Sequence, residues 1–535
     1  MTAVTERRSE PHVAPDGPTP RGTALRSTER AKLTKVLRRG WDDARLGAAV
    51  AAVVVVAWAV AAGQWMPRGP LTTAQTLWSL GLSLVVGLAA GLAARRRIVI
   101  LAAPMLFALV FELLRIDLTG PTVDRPQFST YGILAVVVGR GFYALTSLVP
   151  LAWAAAVGAA VARRADPAPS RPRTRVRATL RGARVSVTAL VGVALFALAI
   201  GVARPASTAA ITGPDGEPLE GSVAELITVQ LNGREQPLMI RGYDTDNPVL
   251  LFLAGGPGGS ELGAMRRHLP GLEEHFTVVT WDQRGTGKAY PQLDPTDTIT
   301  LDGYVDDTVA VTDYLRERFG TDQIFVAGQS WGSTLAVLAV QQAPDRYRAL
   351  IGVGQMVSQL ETDRIFYADT LRWARETGRT GLVDDLVAIG QPPYDRMLDY
   401  ETALSHEHEV YPYDNSPNHE GEGGFSENFM VDEYSLVEQV HLLAGFMDTF
   451  AALYPQLQDI DFRRTATELP VPAFFVQGAH EADGRQQPFQ QWYSTLRAPA
   501  KDVVYLDTSG HRPMFEQPDA FIAYLVDTVL PRTAS

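Results

Sequence analysis

The chain has 535 residues, more than one ordinary domain needs, so the sequence predicts two or more parts. Its net charge of -11 conceals an asymmetry. Residues 1–204 carry 26 Lys and Arg against 10 Asp and Glu, a balance of +16, whereas residues 205–535 carry 22 against 49, a balance of -27. A basic first part and an acidic second part indicate two environments. Cysteine is absent, which excludes disulfides, thiol catalysis and cysteine metal sites.

The first part has the composition of a membrane region. Residues 1–45 are polar and basic and predict a disordered cytoplasmic tail. Five apolar runs follow, at 46–63, 77–94, 98–114, 142–162 and 185–203. A membrane helix needs about 20 apolar residues, and five such runs separated by arginine clusters favour membrane helices over buried helices of a soluble core. We therefore predict a transmembrane region over residues 46–204, with 131–141 as an interfacial or partly inserted extension of the fourth helix.

The basic loops predict the orientation of these helices. Arginines occupy 95–97 after the second helix, and eight more lie in 163–184 after the fourth. The alternate loops, 64–75 and 115–130, carry few positive charges. Because basic loops stay cytoplasmic, the tail is predicted to be inside and everything after Arg204 outside the cytoplasmic membrane.

The second part has the alternation of an α/β domain. Residues 205–221 are rich in Pro, Gly, Ala and Thr and predict a linker. From 222 to 535, apolar strands alternate with amphipathic helices, which predicts a mainly parallel sheet with helices on both faces. A mostly helical stretch at about 357–465 interrupts this rhythm and is interpreted as an inserted cap. The acidic composition favours a small or cationic substrate over nucleic acid.

A candidate nucleophile lies between a predicted strand and a predicted helix. The pentapeptide Gly328-Gln329-Ser330-Trp331-Gly332 follows the apolar run 324–327. A G-x-S-x-G sequence in that context is typical of a nucleophile elbow, where the turn is too tight for side chains two residues before and after the serine. The alternative is a glycine-rich turn that carries a solvated serine.

A serine nucleophile needs a base and an acid, which follow it in chain order in this kind of fold. His511 comes directly after the last predicted strand, 502–506, and is the candidate base. Glu481 and Asp483 follow the preceding strand, and either one is placed to be the acid. Glu481 is preferred, because a short turn after Gly478 would aim it inward.

The oxyanion of an acyl-transfer intermediate needs two backbone N–H groups. Trp331 supplies one, at the start of the helix after the nucleophile. The loop 254–259, Ala-Gly-Gly-Pro-Gly-Gly, is expected to supply the other, since glycines let the backbone approach the substrate closely. No lysine with serine or threonine follows this loop, which excludes a phosphate-binding loop.

Four segments in this order carry a family resemblance, namely 247–258, 282–287 (Asp-Gln-Arg-Gly-Thr-Gly), 328–332 and 509–511 (Ser-Gly-His). From about residue 225 onward, the chain resembles the α/β-hydrolase superfamily and its prolyl-aminopeptidase-like branch of serine peptidases. The resemblance implies Ser330 as nucleophile, His511 as base, and Gly256 with Trp331 as oxyanion donors. It also implies that 282–285 supports the active-site loops without reacting, and it implies no cofactor or metal.

The sequence departs from that family at two points. The family usually has histidine where Ala254 stands. Members specific for an N-terminal proline carry a Trp-Glu pair in the cap that receives the substrate's amine, and no tryptophan here precedes glutamate. Glu433 and Glu438 are candidates for that binding role, with ordinary solvated charges as the alternative. Proline specificity is therefore not predicted.

We therefore expect a membrane-anchored serine hydrolase with an extracytoplasmic catalytic domain. Its partners would be a small peptide or other small-molecule substrate, cleaved through an acyl-enzyme, and the lipid bilayer. No nucleic acid partner is expected, and no protein partner can be read from the sequence. The alternatives are an esterase or lipase acting on small or lipid esters, and a membrane scaffold or sensor whose hydrolase fold only binds a ligand.

Overall fold

The computed structural model describes residues 43–118, 130–165, 175–294, 296–412 and 425–534. The predicted tail therefore lies outside the described residues, apart from its last three positions. Five apolar helices open the structure: α1 Ala44–Trp65, α2 Thr73–Ala94, α3 Val99–Leu114, α4 Thr130–Ala165 and α5 Arg175–Ala203. By length and composition, α1, α2, α4 and α5 are able to cross a membrane, whereas α3 has only 16 residues.

The fourth of these helices is longer than its apolar core. α4 runs without interruption through 131–141, the segment predicted as an interfacial extension. Arg140 lies on that extension and donates to Glu112 of α3. These two ionisable side chains, which lie beside or within apolar segments, therefore pair with each other, and such pairing lowers the cost of charges in an apolar environment.

Glycines hold α2 and α4 together. A Cβ atom at Gly87 or Gly91 of α2 would collide with backbone atoms of α4 at Leu151 and Ala155, respectively. On the other side, a Cβ at Gly158 would collide with the carbonyl of Leu88. Apolar side chains gain little by leaving lipid for one another, so helices in a membrane associate where small residues allow close packing.

We expect Gly91→Leu to destabilise the helical region by at least about 1–3 kcal/mol, the usual cost of overpacking. Gly81→Leu is the matched control, because it lies on the same helix and a Cβ there meets nothing within 4 Å. Thermal unfolding of the full chain in detergent micelles measures both. Equal midpoints for the two variants would contradict this packing.

The second part is built on one eight-stranded sheet. Its strands are β1 Val223–Leu231, β2 Arg234–Gly242, β3 Val249–Leu253, β4 Thr277–Trp281, β5 Ile324–Gln329, β6 Tyr347–Val353, β7 Ala473–Gly478 and β8 Lys501–Leu506, in the order β1-β2-β4-β3-β5-β6-β7-β8. β1 and β2 form an antiparallel hairpin, β2 pairs antiparallel to β4, and the other pairings are parallel. A turn at Asn232-Gly233 joins the hairpin, with φ of 52° and 71°.

Helices cover both faces of the sheet, as predicted. They are α6 Leu262–His268, α7 Leu301–Phe319, α8 Trp331–Gln342, α9 Gln359–Glu376, α10 Thr380–Ile389, α11 Met397–Leu404, α12 Glu407–Val410, α13 Leu436–Leu453, α14 Phe462–Thr465, α15 Asp483–Thr495, α16 Pro513–Glu516, α17 Pro518–Tyr524 and α18 Leu530–Thr533. β3, β4 and β5 are buried at every position, and a separate apolar core lies against each face of the sheet. This explains why the central strands are apolar throughout.

Helices α9 to α14 are inserted between β6 and β7, where the sequence predicts a cap. α13 begins a stretch, Leu436–Asp459, that is apolar and long enough to cross a membrane by composition, yet 56% of it is buried inside the structure. Its first turns pack on the helices of the first part, because Val437 shares a buried cluster with Phe142 and Val202. Its last turns reach the candidate site described next.

Candidate active site

Ser330 lies in the tight turn between β5 and α8. Its φ of 54° is in the left-handed region, which a serine adopts only under local strain. A Cβ atom at Gly328 would collide with the backbone of Gly332, and one at Gly332 would collide with the carbonyl of Leu253. The two glycines of the pentapeptide therefore let the chain turn sharply enough to project Ser330 from the end of the strand.

The loops after β7 and β8 bring an acid and a base to Ser330. His511 Nε2 is 2.9 Å from Ser330 Oγ, and His511 Nδ1 is 2.7 Å from Glu481 Oε2. Glu481 is buried, whereas Asp483 is exposed at the first position of α15. Of the two carboxylates that the sequence left open, the structure brings Glu481 to the histidine.

Arg485 sets the charge state of this acid. Burial by itself would raise the pKa of the Glu481 carboxyl, but the charges and hydrogen bonds of Arg485 and His511 lower it to about 2. Arg485 Nε is 2.6 Å from Glu481 Oε1, and its other end donates to Glu407 of the cap helix α12. Arg485 and His511 therefore favour the ionised form of Glu481, which is the form that a histidinium needs as its partner.

Gln283 holds the two candidate oxyanion segments together. Its Oε1 accepts from the indole N–H of Trp331 at 2.9 Å, and its Nε2 donates to the carbonyl of Ala254 at 3.3 Å. The adjacent Asp282 accepts from Tyr434 Oη and from the backbone N–H of Lys288, both at 2.9 Å. The segment 282–285 thus braces the loop of Gly256 and the start of α8, as the resemblance implies.

A cavity of about 290 Å³ opens in front of Ser330. Gly256 and His511 line it together with residues of the cap, among them Asp363, Phe366, Leu404, Glu407, Phe446, Phe450 and Tyr454. The cap therefore supplies about half of the residues that line the cavity. Within the described ranges, no group of three or more His, Asp or Glu side chains is placed to hold a metal ion.

The structure places both predicted substrate-binding glutamates away from this cavity. Glu433 is fully buried and accepts from Arg266, and Glu438 pairs with Lys288 at 2.9 Å and caps α13. Neither lines the cavity. Both carboxylates are engaged in holding the cap, so they do not enter the proposal below.

Sequence reasoning missed the cap residues that face Ser330. Asp363, Phe446 and Phe450 belong to helices whose sequence carries no catalytic motif. Arg485 lies only four residues after Glu481, and the turn that leads into α15 brings their side chains together. The positions of Asp363, Phe446 and Phe450 at the cavity depend on how the cap folds over the sheet.

Comparisons with known proteins agree with this architecture. Residues 248–383 match the family model described as alpha/beta hydrolase fold. The chain is 30% identical over 316 residues to "Probable aminopeptidase YbaC" of Bacillus subtilis (strain 168), a match that covers 57% of this chain and 96% of that protein. It is 33% identical over 132 residues to "Probable proline iminopeptidase" of Leptolyngbya boryana, covering 25% of this chain and 39% of the relative.

Among solved structures, a proline iminopeptidase-related protein from Thermus thermophilus matches with a TM-score of 0.41 and 20% identity, over 57% of this chain and 96% of that one. The match covers nearly the whole length of the first relative. The part of this chain that it leaves unmatched is about as long as the helical first part. The chain therefore belongs to the α/β-hydrolase family and carries a serine-hydrolase domain similar to those of the aminopeptidases and proline iminopeptidases.

Proposed function

We propose that the chain is a membrane-anchored aminopeptidase-like serine hydrolase that cleaves small peptides or amides on the outer side of the membrane. The observation that carries this proposal is the hydrogen-bonded series Ser330, His511 and Glu481 at the mouth of a cap-covered cavity. We divide the chain into a cytoplasmic tail (1–45), a membrane region (46–204), a linker (205–221) and a catalytic domain (222–535).

The geometry supports acyl transfer through Ser330. His511 Nε2 takes the proton of the serine hydroxyl as Oγ attacks the substrate carbonyl, and later gives it to the leaving amine. Glu481 accepts from Nδ1, which keeps the ring in the right tautomer and stabilises its cationic form. The backbone N–H groups of Gly256 and Trp331 receive the charge that develops on the carbonyl oxygen.

Asp363 is the candidate ligand for the substrate's amine. It lines the cavity and accepts from Tyr454 Oη at 2.5 Å, Gln458 Nε2 at 3.0 Å and Gln359 Nε2 at 3.2 Å, all neutral donors. Burial raises the pKa of Asp363 to about 6, although these hydrogen bonds oppose the rise. A substrate ammonium would supply the positive charge that stabilises the ionised carboxylate.

We expect Asp363→Asn to reduce kcat/KM for an aminoacyl arylamide by about 10- to 100-fold, the value of one charge-assisted hydrogen bond. The same substitution should reduce kcat/KM for the N-acetylated substrate far less. Glu361→Gln on the same helix is the control, since it removes a similar charge outside the cavity.

Because the raised pKa leaves Asp363 neutral at low pH, the preference of the native protein for the free amine should fall as pH drops through about 6. A preference independent of pH and unchanged in Asp363→Asn would contradict this assignment.

The contacts of α13 support an outer catalytic domain. α13 packs against Leu77 near the start of α2, Phe142 in the first half of α4 and Val202 at the end of α5. In the orientation that the arginine clusters predict, these three places lie toward the outer surface.

The absence of cysteine allows a direct test of this orientation with single introduced cysteines. Ser494→Cys should react with a membrane-impermeant maleimide on intact cells, and Ser27→Cys only after lysis; the reverse pattern would reject the orientation.

Apolar cap residues also suit an acyl chain, so an esterase is the second candidate. Phe366, Phe446 and Phe450 line the cavity beside Ser330. Aminoacyl arylamides and acyl esters, assayed on the same preparation of the full chain, separate the two. Turnover of esters without any turnover of arylamides would favour the esterase.

A further inference from the structure

The loop between α1 and α2 places one side chain inside the hydrolase domain. The side chain of Arg68 is 7% exposed; its Nη1 is 3.5 Å from Asp448 Oδ2, and its Nη2 is 3.2 Å from Asp294 Oδ1. Asp448 lies in the middle of α13 and is fully buried, whereas Asp294 ends the segment that follows the 282–285 motif. Arg68 therefore ties a loop of the first part to two elements of the second.

Both of these elements lead to the active site. Asp448 also accepts from Tyr290 Oη at 3.0 Å, and Thr449 Oγ1 donates to the carbonyl of Gly285 at 3.1 Å. These contacts fix α13 against the segment that continues from Gln283, the residue that braces Trp331 and Ala254.

The other face of α13 forms a wall of the cavity. Phe446 and Phe450 line it, two residues before and after Asp448. The backbone of Phe446 lies so close to Gly258 that a Cβ there would be 2.7 Å from the Phe446 carbonyl oxygen. A shift of α13 would therefore move both the substrate-binding wall and the glycine loop of the oxyanion site.

We propose that Arg68 is a positioning residue of the hydrolase. The membrane region thereby helps to shape the active site as well as anchoring the enzyme. This inference rests on the proposed function, because it concerns the same site. Arg68 touches no reacting atom. It acts through Asp448, by giving a buried carboxylate a counter-ion and so holding α13 in the position that shapes the cavity.

The physical reason is the cost of a buried charge. A carboxylate that loses its cation inside a protein takes up a proton, draws in water or moves toward solvent. Each response disturbs the middle of α13, and a displacement of about 1 Å at a catalytic site can cost about 100-fold in rate.

The test measures turnover per active site in the full chain. Slow labelling to completion with a fluorophosphonate counts the folded sites with a reactive serine, and the maximal rate for an aminoacyl arylamide is divided by that count. With kcat defined as the maximal rate divided by the number of labelled sites, we expect Arg68→Ala to lower kcat by about 10- to 100-fold, and Arg68→Lys to recover part of the loss because it restores the charge.

Arg204→Ala is the matched control. Arg204 also joins the end of a membrane helix to the hydrolase domain, through Asp432 at 2.8 Å, but the two side chains are 69% and 63% exposed. Exposed pairs contribute little, so kcat per site should stay within about twofold. A purely structural role for Arg68 would reduce the number of labelled sites and leave the turnover of each one unchanged, and that result would overturn the proposal.

A double variant tests the route through Asp448. Asp448→Asn removes the charge that needs a partner but keeps an acceptor for Tyr290. In the Asp448→Asn background, Arg68→Ala should lower kcat little further, and fully additive losses of kcat would overturn the proposal. This comparison still tests the proposal if Arg68→Ala alone does not fold. If native protein shows no turnover that depends on Ser330, the proposed function fails instead. If native protein is active and Arg68→Ala equals it, only this inference fails.

Discussion

Ser330→Ala is expected to reduce hydrolysis of aminoacyl arylamides by about 10⁶-fold, because loss of the nucleophile removes the acyl-enzyme route. The alanine side chain fits the strained turn as well as serine does, so the fold should be unchanged. Steady-state kinetics and fluorophosphonate labelling of the full chain measure the two effects. Both turnover and labelling should disappear while the thermal unfolding midpoint stays the same.

Ser494→Ala is the control for this substitution. Ser494 is exposed on α15 and bonds only the carbonyl of Gln491 among the contacts described for it, at 2.8 Å. Its removal should leave turnover and labelling intact. Ser330→Ala protein that still hydrolyses the substrate would reject the mechanism, and native protein that cannot be labelled would favour a ligand-binding role for the hydrolase fold.

Glu481→Gln is expected to reduce kcat by about 10⁴-fold, the usual cost when the acid of a serine triad becomes an amide. The amide cannot stabilise the charged ring of His511, and its NH₂ group favours the wrong tautomer. Arg485 keeps its contact with Glu407, so most of the local structure should survive. Kinetics together with thermal unfolding separate loss of chemistry from loss of fold.

Asp483→Asn is the matched control, since it removes the same charge two residues away. Asp483 is exposed and contributes at most its favourable position at the start of α15, so activity should stay within about twofold. If Asp483→Asn proved the more damaging of the two, the acid would have to be reassigned and the turn after β7 would need another geometry in the active protein.

Much of the candidate site could be predicted because its signals are local. Ser330 needs a glycine two residues before and after it, and His511 and Glu481 each follow a recognisable apolar strand, so position along the chain was enough to find them. Position along the chain was not enough to place Glu433 and Glu438. They are acidic residues of the cap, as expected of amine ligands, but both form ion pairs outside the cavity.

The membrane region shows the same division. Its helices and their orientation were predicted from apolar length and from arginine, which are properties of single segments. α13 also has the length and apolar composition to cross a membrane, yet more than half of its residues are buried inside the structure. Composition cannot distinguish a helix surrounded by lipid from one surrounded by protein, because both environments exclude water.

By itself, the sequence determined the fold class and the family and predicted the chemistry centred on Ser330, because periodicity and short motifs record how each segment meets its nearest neighbours. Only the tertiary structure brought Glu481, and not Asp483, to His511, placed Asp363 in the cavity and joined Arg68 to Asp448, 380 residues further along the chain. These are contacts between distant segments, and their geometry depends on how whole elements pack. The residues that shape the substrate site had no signal in the sequence for that reason.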